Sequence, residues 1–232
     1  MIVIPARLES TRFPRKLLVP IQGVPMVVAT ARNAQKVDEV VVACDDALLL
    51  RACEDFNIKA ILTNKAHTSG TDRCAQACTL LNLPEQTPVL NLQGDEPFLE
   101  PEIIATLLQE SQKTPFMHTC IKEISPKEAQ DPNVVKVVLG IDNRALYFSR
   151  APIPYGRDEQ HHSFLGHIGL YGFRAHTLLE FCALPKSPLE DIEKLEQLRA
   201  LYHHKAITTS LVETKSVGID TLQDLQEALK RC

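Results

Sequence analysis

The sequence has no tryptophan, only nine glycines, and an aromatic fraction of 5% over 232 residues. With so few glycines, neither common glycine-rich phosphate loop is present: no segment has the G-x-x-x-x-G-K-[ST] or the G-x-G-x-x-G spacing. These absences disfavour a P-loop kinase and a dinucleotide-dependent dehydrogenase. A phosphate ligand would have to be held by other means.

The chain also lacks a long apolar run and a large excess of charge of either sign. Its apolar fraction of 44% and charged fraction of 23% are ordinary for globular domains. The apolar opening, Met1–Pro5, meets Arg7 too soon for a signal peptide or a membrane span. A net charge of −4 gives no general attraction for nucleic acid. We expect one cytoplasmic domain, residues 1–232, without a nucleic-acid or membrane partner.

The seven cysteines form no C-x-x-C pair, and their odd number prevents complete internal pairing. Cys74 and Cys78 have helical i, i+4 spacing, but no nearby second pair of cysteines or histidines completes a four-ligand metal site. The pattern therefore predicts a reducing compartment, with the cysteines buried as small apolar side chains.

Strand-like and helix-like segments alternate in the first half of the chain. Short apolar runs occur at residues 2–4, 39–44, 59–62 and 88–92. Helical periodicity or a cap signal follows them, as at Met26–Ala34 and at Ser69–Leu81. This alternation predicts an open, mostly parallel, Rossmann-like α/β sheet with helices on both faces.

The alternation changes after the helix predicted to follow Pro101. Strand-like runs at residues 117–124, 134–138, 145–148 and 167–173 are not separated by full helices. They predict an antiparallel extension within residues 115–175 approximately, with a mobile loop around Pro152–Ser163. His161 and His162 lie in that loop, where adjacent histidines usually face solvent.

A cationic loop follows the first predicted strand. Within residues 6–16 it carries Arg7, Arg12, Arg15 and Lys16. Open α/β sheets bind ligands outside the carboxyl ends of their strands, and arginine and lysine can wrap a triphosphate there. A solvated basic surface loop is the alternative for such a stretch.

Several blocks in this order resemble one enzyme family. Ile4–Arg7, Ser10–Arg12 and Lys16 resemble the opening signature of sugar nucleotidyltransferases. The later blocks that resemble the CMP-Kdo synthetase family are Asn91–Pro97, Ala145–Arg150, His167–Phe173 and Gly218–Thr221. Kdo is 3-deoxy-manno-octulosonate, an eight-carbon acidic sugar. The resemblance extends from residue 2 to about residue 225.

The resemblance implies a nucleotide-diphospho-sugar transferase fold. It also implies transfer of CMP from CTP to the anomeric hydroxyl of Kdo, with pyrophosphate released and the product used in lipopolysaccharide biosynthesis. Relatives are commonly homodimers built through the inserted segment, so a homodimer is expected. CMP activation of 8-amino-Kdo, and a non-catalytic module that binds CTP or a CMP-sugar, are the alternatives.

Two aspartates are the candidate Mg²⁺ ligands. Asp95 directly follows an apolar strand, and Mg²⁺ favours a few carboxylates combined with phosphate oxygens and water. The resemblance implies Asp220 as the second ligand. Each aspartate could instead cap a helix: Asp95 the Pro97–Ser111 region, and Asp220 the helix beginning at Thr221.

The resemblance supplies the remaining site residues. The catalytic residues it implies are Arg12, Lys16 and Asp95. The nucleotide-binding residues it implies are Ala6, Arg7, Ser69, Thr71 and Arg73. The sugar-binding residues it implies are Gln93, Arg150, His167, Tyr171, Glu196 and Gln197.

Simpler explanations remain open for several of these residues. Arg73 could be a surface helix charge, and His167 and Tyr171 could be packed on one sheet face. Glu196 is predicted to lie beside an apolar helical stripe formed by Leu189, Ile192, Leu195 and Leu198. A carboxylate there needs a partner, either Arg199 or a substrate hydroxyl.

Two positions depart from the family pattern. Arg15 stands where a glycine commonly precedes the lysine, which predicts a less flexible loop. Gly166 stands where a basic residue commonly precedes the histidine, which predicts the loss of one sugar contact.

Overall fold

The computed structural model describes residues 1–9, 13–157, 163–214, 216 and 218–230. The predicted catalytic Arg12, the histidine pair and Cys232 therefore lie outside the described residues. The strands are β1 (Ile2–Ala6), β2 (Pro20–Ile21), β3 (Val24–Pro25), β4 (Val40–Cys44), β5 (Ala60–Leu62), β6 (Pro88–Asn91), β7 (Met117–Ile124), β8 (Lys136–Leu139), β9 (Ala145–Ser149), β10 (Phe164–Arg174) and β11 (Ile207–Leu211).

The helices follow most strands, as the alternation predicts. They are α1 (Met26–Ala34), α2 (Ala47–Glu54), α3 (Gly70–Leu80), α4 (Pro101–Ser111), α5 (Pro126–Ala129), α6 (Ala175–Ala183), α7 (Pro188–Glu193), α8 (Leu198–Tyr202) and α9 (Leu222–Leu229). A 3₁₀ turn, Lys16–Leu18, ends the cationic loop.

The main sheet is mixed. Within the described ranges its order is β11-β7-β10-β6-β1-β4-β5, and β8 pairs with both β10 and β9. Strands β6, β1, β4 and β5 are parallel neighbours, whereas β10 runs antiparallel to β6 and to β7. The predicted parallel half with an antiparallel extension is therefore confirmed.

Helices cover both faces of the sheet because β1 is apolar on both sides. Ile2 and Ile4 pack in a core with α1, α2, α4 and α9, while Val3 packs in a second core with α3, α6 and α8. All five residues of β1 are buried, as expected for a central parallel strand.

The register of these strands brings three loops to one edge. Ala6 pairs with Cys44, so the segments after β1 and β4 start side by side. Val3 pairs with Asn91, so the segment after β6 begins next to the last residues of β1. The cationic loop and the Asp95 turn therefore meet at the carboxyl end of the parallel strands, where α/β sheets bind ligands.

The predicted apolar stripe near the C-terminus is wrong. Helix α7 ends at Glu193, Lys194 has a left-handed backbone with φ of 54°, and α8 begins only at Leu198. Ile192 is 77% exposed and does not share a buried face with Leu195. The apolar residues of the sequence keep a helical spacing through residues 194–197, but the backbone there is not an α-helix.

The prediction that the cysteines are buried as apolar side chains is confirmed for five of the six described ones. Five of them, Cys44, Cys53, Cys74, Cys78 and Cys120, are buried free thiols, and Cys182 is half-buried. None of the helices in the described ranges has the length and apolar character needed to cross a membrane.

Candidate active site

One lysine and two aspartates meet at the carboxyl edge of the sheet. Lys16 Nζ lies 2.5 Å from Asp95 Oδ2 and 3.0 Å from Asp220 Oδ1. The Ile219 amide donates a hydrogen bond to the Asp95 carbonyl oxygen at 3.0 Å, which fixes the approach of Asp220. The fold thus joins three predicted site residues that are far apart in sequence.

Neither aspartate is an N-cap. Glu100 occupies the N-cap position of α4, which begins later than the sequence suggested. Thr221 caps α9, and Asp224 completes its capping box. The capping alternatives for Asp95 and Asp220 are therefore wrong.

Glu96 borders this cluster. Ser216 Oγ donates a long hydrogen bond of 3.4 Å to Glu96 Oε2, and a β-carbon added to Gly218 would come within 2.9 Å of Glu96 Oε1. Burial, and then the charge of Asp95, raises the pKa of Glu96 to about 8. This carboxyl is therefore mostly protonated at neutral pH. Sequence reasoning missed it, although it lies next to Asp95.

The cluster suits a hard divalent cation. Asp95 and Asp220 both present carboxylate oxygens to the Lys16 ammonium group. Mg²⁺ needs few protein ligands when phosphate oxygens and water complete its shell. Across the described ranges, no group of three or more histidine, cysteine, aspartate or glutamate side chains is arranged to hold a metal. A metal here would depend on the nucleotide for further ligands.

A cavity of about 220 Å³ opens beside the end of β1. It is lined by Pro5, Arg7, His67, Thr68, Ser69, Gly70, Arg73 and Gln93. The structure thus brings together Arg7, Ser69, Arg73 and Gln93 of the predicted site. Ala6 is the buried last residue of β1.

The start of α3 forms one wall of this cavity. A β-carbon at Gly70 would lie 3.0 Å from Pro5 Cγ, so glycine allows the helix to approach β1. Ser69 caps α3: its Oγ accepts the Asp72 amide and donates to Asp72 Oδ2. The predicted helix start is confirmed, and the Ser69 hydroxyl serves it.

Arg73 is buried, with 3% of its surface exposed, so the surface-charge alternative is wrong. Its Nη1 donates to Thr63 Oγ1 at 2.6 Å, and its Nη2 lies 3.7 Å from Asp45 Oδ2. Asp45 also accepts the Leu8 amide at 2.8 Å. Of the two aspartates that follow β4, Asp46 caps α2, since it accepts the Leu48 amide.

Thr71, a predicted nucleotide-binding residue, is hydrogen-bonded to Glu196, a predicted sugar-binding residue. Its buried hydroxyl donates to Glu196 Oε1 at 2.5 Å and accepts from Asn91 Nδ2 at 3.0 Å. Burial raises the pKa of Glu196 above its ordinary value, although the Thr71 hydrogen bond opposes the rise. Arg199 is not its ion-pair partner, because that guanidinium binds Glu190 at 2.6 and 2.8 Å.

His167, Tyr171 and Gln197 contact one another. The rings of His167 and Tyr171 lie 5.6 Å apart despite a bulge in β10, and the Tyr171 hydroxyl donates to Gln197 Oε1 at 3.0 Å. Burial lowers the pKa of His167 to about 3, so its ring is neutral at physiological pH. These residues are packed together and are not among those that line the 220 Å³ cavity, so their predicted contact with a sugar stays a prediction.

The tautomer of His167 follows from its neighbours. The Thr119 hydroxyl lies near two carbonyl oxygens, at 2.7 and 3.1 Å, which take its proton. It therefore accepts from His167 Nε2 at 2.9 Å. Nδ1 is left to accept from Gln197 Nε2 at 3.4 Å.

Arg150 is held by backbone oxygens. Its Nε donates to the Glu193 carbonyl at 2.7 Å and its Nη1 to the Pro132 carbonyl at 2.9 Å. Glu193 Oε2 accepts the Arg150 amide at 2.9 Å. In this conformation the guanidinium joins the end of α7 to the turn before β8, and its predicted role as a carboxylate fork stays a prediction.

Both departures from the family pattern have a structural context. Arg15 adopts the left-handed conformation, with φ of 52°, where glycine is favoured. A β-carbon at Gly166 would lie 2.7 Å from Ile124 Cγ2 and 3.7 Å from Val134 Cγ1. A side chain at 166 would meet that apolar cluster in this chain, and the predicted loss of a sugar contact stays a prediction.

Comparison with known proteins agrees with the family that the sequence motifs resemble. The cytidylyltransferase family profile matches residues 1–207. The 3-deoxy-manno-octulosonate cytidylyltransferase of Helicobacter pylori strain J99 is 56% identical over 234 residues, covering 99% of this chain and 96% of that protein. The chain belongs to the Kdo cytidylyltransferase family. The Wolinella succinogenes member is 54% identical, covering 99% of this chain and 98% of its own.

Solved structures agree with this membership of the Kdo cytidylyltransferase family. A CMP:2-keto-3-deoxy-manno-octonic acid synthetase complexed with CTP superposes with a TM-score of 0.93 at 40% identity, covering 99% of this chain and 97% of that chain. A cytidylyltransferase from Leptospira borgpetersenii, at 15% identity and a TM-score of 0.64, shares the fold.

Proposed function

We propose that this protein transfers CMP from CTP to the anomeric hydroxyl of Kdo, releasing pyrophosphate and supplying CMP-Kdo for lipopolysaccharide biosynthesis. The observation that carries the proposal is the meeting of Lys16, Asp95 and Asp220 at the sheet edge. Relatives at 54–56% identity over nearly the whole chain carry the corresponding name.

In the proposed reaction the sugar hydroxyl attacks the α-phosphorus in line. The new bond joins the sugar oxygen to phosphorus, the bond to the pyrophosphate oxygen breaks, and the hydroxyl proton is lost to solvent. Lys16 and Arg12 offset the charge that develops on the departing pyrophosphate, and Arg7 holds the triphosphate. No covalent intermediate with the protein is needed.

Mg²⁺ is the metal we propose, held by Asp95 and Asp220. When bound, it would offset charge on the phosphate oxygens and orient them. For these carboxylates to bind it, Lys16 Nζ has to leave its position between them. A nearby triphosphate offers the ammonium group another anionic partner.

On the sugar side, neutral and hydrogen-bonding groups match a polyhydroxylated substrate. Gln197 and Tyr171 are fixed by mutual hydrogen bonding, and Glu196 is fixed by Thr71. We propose that these residues, with His167 and Gln93, bind sugar hydroxyls, and that Arg150 binds the sugar carboxylate.

Pyrophosphate release by the purified protein tests the proposal. Each nucleoside triphosphate is offered with Kdo, 8-amino-Kdo or a sialic acid, with and without Mg²⁺. We expect release with CTP, Kdo and Mg²⁺ together. Asp95→Asn should abolish it, whereas Asp142→Asn, at an exposed carboxylate paired with Arg144, should not.

Other outcomes would replace the proposal. Release with 8-amino-Kdo in place of Kdo would move the substrate to the amino sugar. CTP binding without release for any pair would favour the non-catalytic module. Release without Mg²⁺ would remove the metal from the mechanism.

We also propose a cytoplasmic homodimer built through residues 115–175. The tip of the hairpin formed by β8 and β9 supports an interface there, because Ile141 is fully exposed and Leu146 is 62% exposed. Exposed apolar side chains grouped at one tip favour burial against a partner.

A further inference from the structure

Asp45 lies at the same sheet edge as the cationic loop. Its amide donates to the Ala6 carbonyl oxygen at 3.1 Å, which continues the parallel pairing of β1 and β4 by one residue. Asp45 is therefore the first residue beyond β4, and its side chain starts beside the segment that carries Arg7.

The two carboxylate oxygens of Asp45 contact two different segments that line the 220 Å³ cavity, the proposed nucleotide site. Oδ1 accepts the Leu8 amide at 2.8 Å, next to Arg7. Oδ2 lies 3.7 Å from Arg73 Nη2 on α3. Both Arg7 and Arg73 line the 220 Å³ cavity, whereas Asp45 does not.

Arg73 and Asp45 form a buried pair of opposite charges, so loss of either partner would be costly. The side chains of Arg73 and Asp45 are only 4% and 9% exposed. The other acceptors on Arg73 are neutral, namely Thr63 Oγ1 and the Asn64 carbonyl. Asp45 thus supplies the negative charge that faces a buried guanidinium group. Without Asp45 the Arg73 guanidinium would be buried and unpaired, and its side chain would have to change position.

We propose that Asp45 is a positioning residue of the nucleotide site. Through the Leu8 amide it fixes the start of the cationic loop, and through Arg73 it fixes the first turns of α3. It acts without touching the nucleotide, since its oxygens face protein donors. This inference rests on the proposed function and adds a residue that sets CTP affinity.

Three variants test this role. Asp45→Ala removes both contacts, whereas Asp45→Asn keeps an oxygen that can accept from Leu8 but loses the charge opposite Arg73. Asp46→Ala is the matched control, because Asp46 caps α2 and bonds the Leu48 amide. CTP affinity is measured by calorimetry without sugar, together with KM for CTP and for the sugar, kcat, and thermal unfolding.

We expect Asp45→Ala to weaken CTP binding about tenfold and to raise KM for CTP far more than KM for the sugar. Asp45→Asn should fall between this variant and the wild type. Asp46→Ala should lower the unfolding temperature while CTP affinity stays within about twofold of wild type.

The inference is overturned if Asp45→Ala binds CTP as the wild type does, or if both control and test variants lose CTP affinity in proportion to stability. If Asp45→Ala does not fold, Asp45→Asn decides the question by the same comparison. Failure of the proposed function would appear differently, as wild-type protein that releases no pyrophosphate.

Discussion

Arg15 holds an unfavourable backbone conformation directly before Lys16. Its φ of 52° and ψ of 31° place a residue with a β-carbon in the left-handed region, at an energetic cost of about 1 kcal/mol. Its carbonyl oxygen accepts the Leu18 amide at 2.9 Å, in the turn that carries Lys16 to the two aspartates. Glycine would adopt this conformation without the steric penalty.

We expect Arg15→Gly to stabilise the fold. The gain should be about 0.5 kcal/mol, because relief of about 1 kcal/mol of strain exceeds the added entropy of the unfolded chain, about 0.5 kcal/mol. Chemical denaturation measures the change. Arg15→Ala is the control, since it removes the charge but keeps the β-carbon. Equal stability of the two variants would show that the backbone conformation is not the cause.

Lys16 Nζ occupies the position between Asp95 and Asp220 that the proposed Mg²⁺ would take. We expect Lys16→Met to bind Mn²⁺, a probe for Mg²⁺, about tenfold or more tightly than wild type when CTP is absent. Electron paramagnetic resonance measures free Mn²⁺ directly. Adding Asp95→Asn to Lys16→Met should remove the gain. Unchanged metal affinity in Lys16→Met would show that the lysine does not block the site.

Sequence patterns indicated residues whose role is tied to a local motif. Lys16, Asp95 and Asp220 lie in recognisable blocks, and the fold places them together. Asp45 was missed because its importance comes from two partners contributed by other elements. The Arg199 prediction failed for a related reason: a buried glutamate from α7 lay nearer than Glu196.

At the scale of elements, a buried histidine of β7 bonds two hydroxyl groups of its neighbour β11. Strand β11 pairs with β7, and His118 on β7 bonds Thr208 Oγ1 at 2.7 Å and Ser210 Oγ at 3.0 Å. Burial lowers the pKa of His118 to about 4. The ring is therefore neutral in the folded protein throughout the neutral range.

This histidine makes stability depend on pH in one direction. The unfolded chain protonates His118 below about pH 6.5, while the folded chain does so only below about pH 4. Since the unfolded state binds more protons in that window, stability falls as pH decreases through it. The loss approaches 1.4 kcal/mol per pH unit for this residue, and the similarly buried His167 adds to it.

We expect His118→Gln to be less stable than wild type at about pH 7.5 but to lose less stability on going to about pH 5. Urea unfolding at the two pH values measures both effects. His204→Gln, at an exposed position, is the control and should keep the wild-type pH dependence. A wild-type slope in His118→Gln would contradict the assignment.

The order of helices and strands was largely predictable, because β-branched runs and cap signals are local. The break between α7 and α8 was not. The apolar residues 189, 192, 195 and 198 keep a helical spacing across residues 194–197. Lys194 ends α7 in the left-handed conformation, a position where glycine or asparagine is usual, so its residue type does not predict a helix end. Glu196, within this segment, accepts the Thr71 hydroxyl, a tertiary contact that the local spacing does not reveal.

At the scale of the whole molecule, the exposed tip of the β8–β9 hairpin is the surface through which we propose that two copies of the chain form a dimer. Ile141→Asp combined with Leu146→Asp should convert the proposed dimer to a monomer, because two charges would have to be buried at the interface. Sedimentation equilibrium measures the mass. Leu48→Asp, at a 46% exposed leucine on α2, is the control and should leave the mass unchanged. A dimer that survives the double substitution would place the interface elsewhere.

The sheet order also governs how the chain folds during synthesis. Strands β1, β4, β5 and β6 can pair once residues 1–91 have left the ribosome, because each has its parallel neighbour within that stretch. Strand β7 is different, since its partners β10 and β11 are both made later. Until β10 emerges, the nascent chain carries an open edge on β6 and an unpaired, largely buried-type strand at β7. The growing polypeptide is therefore most exposed to aggregation between the emergence of β7 and that of β10 from the ribosome, and β7 is the segment that a chaperone would bind in that interval.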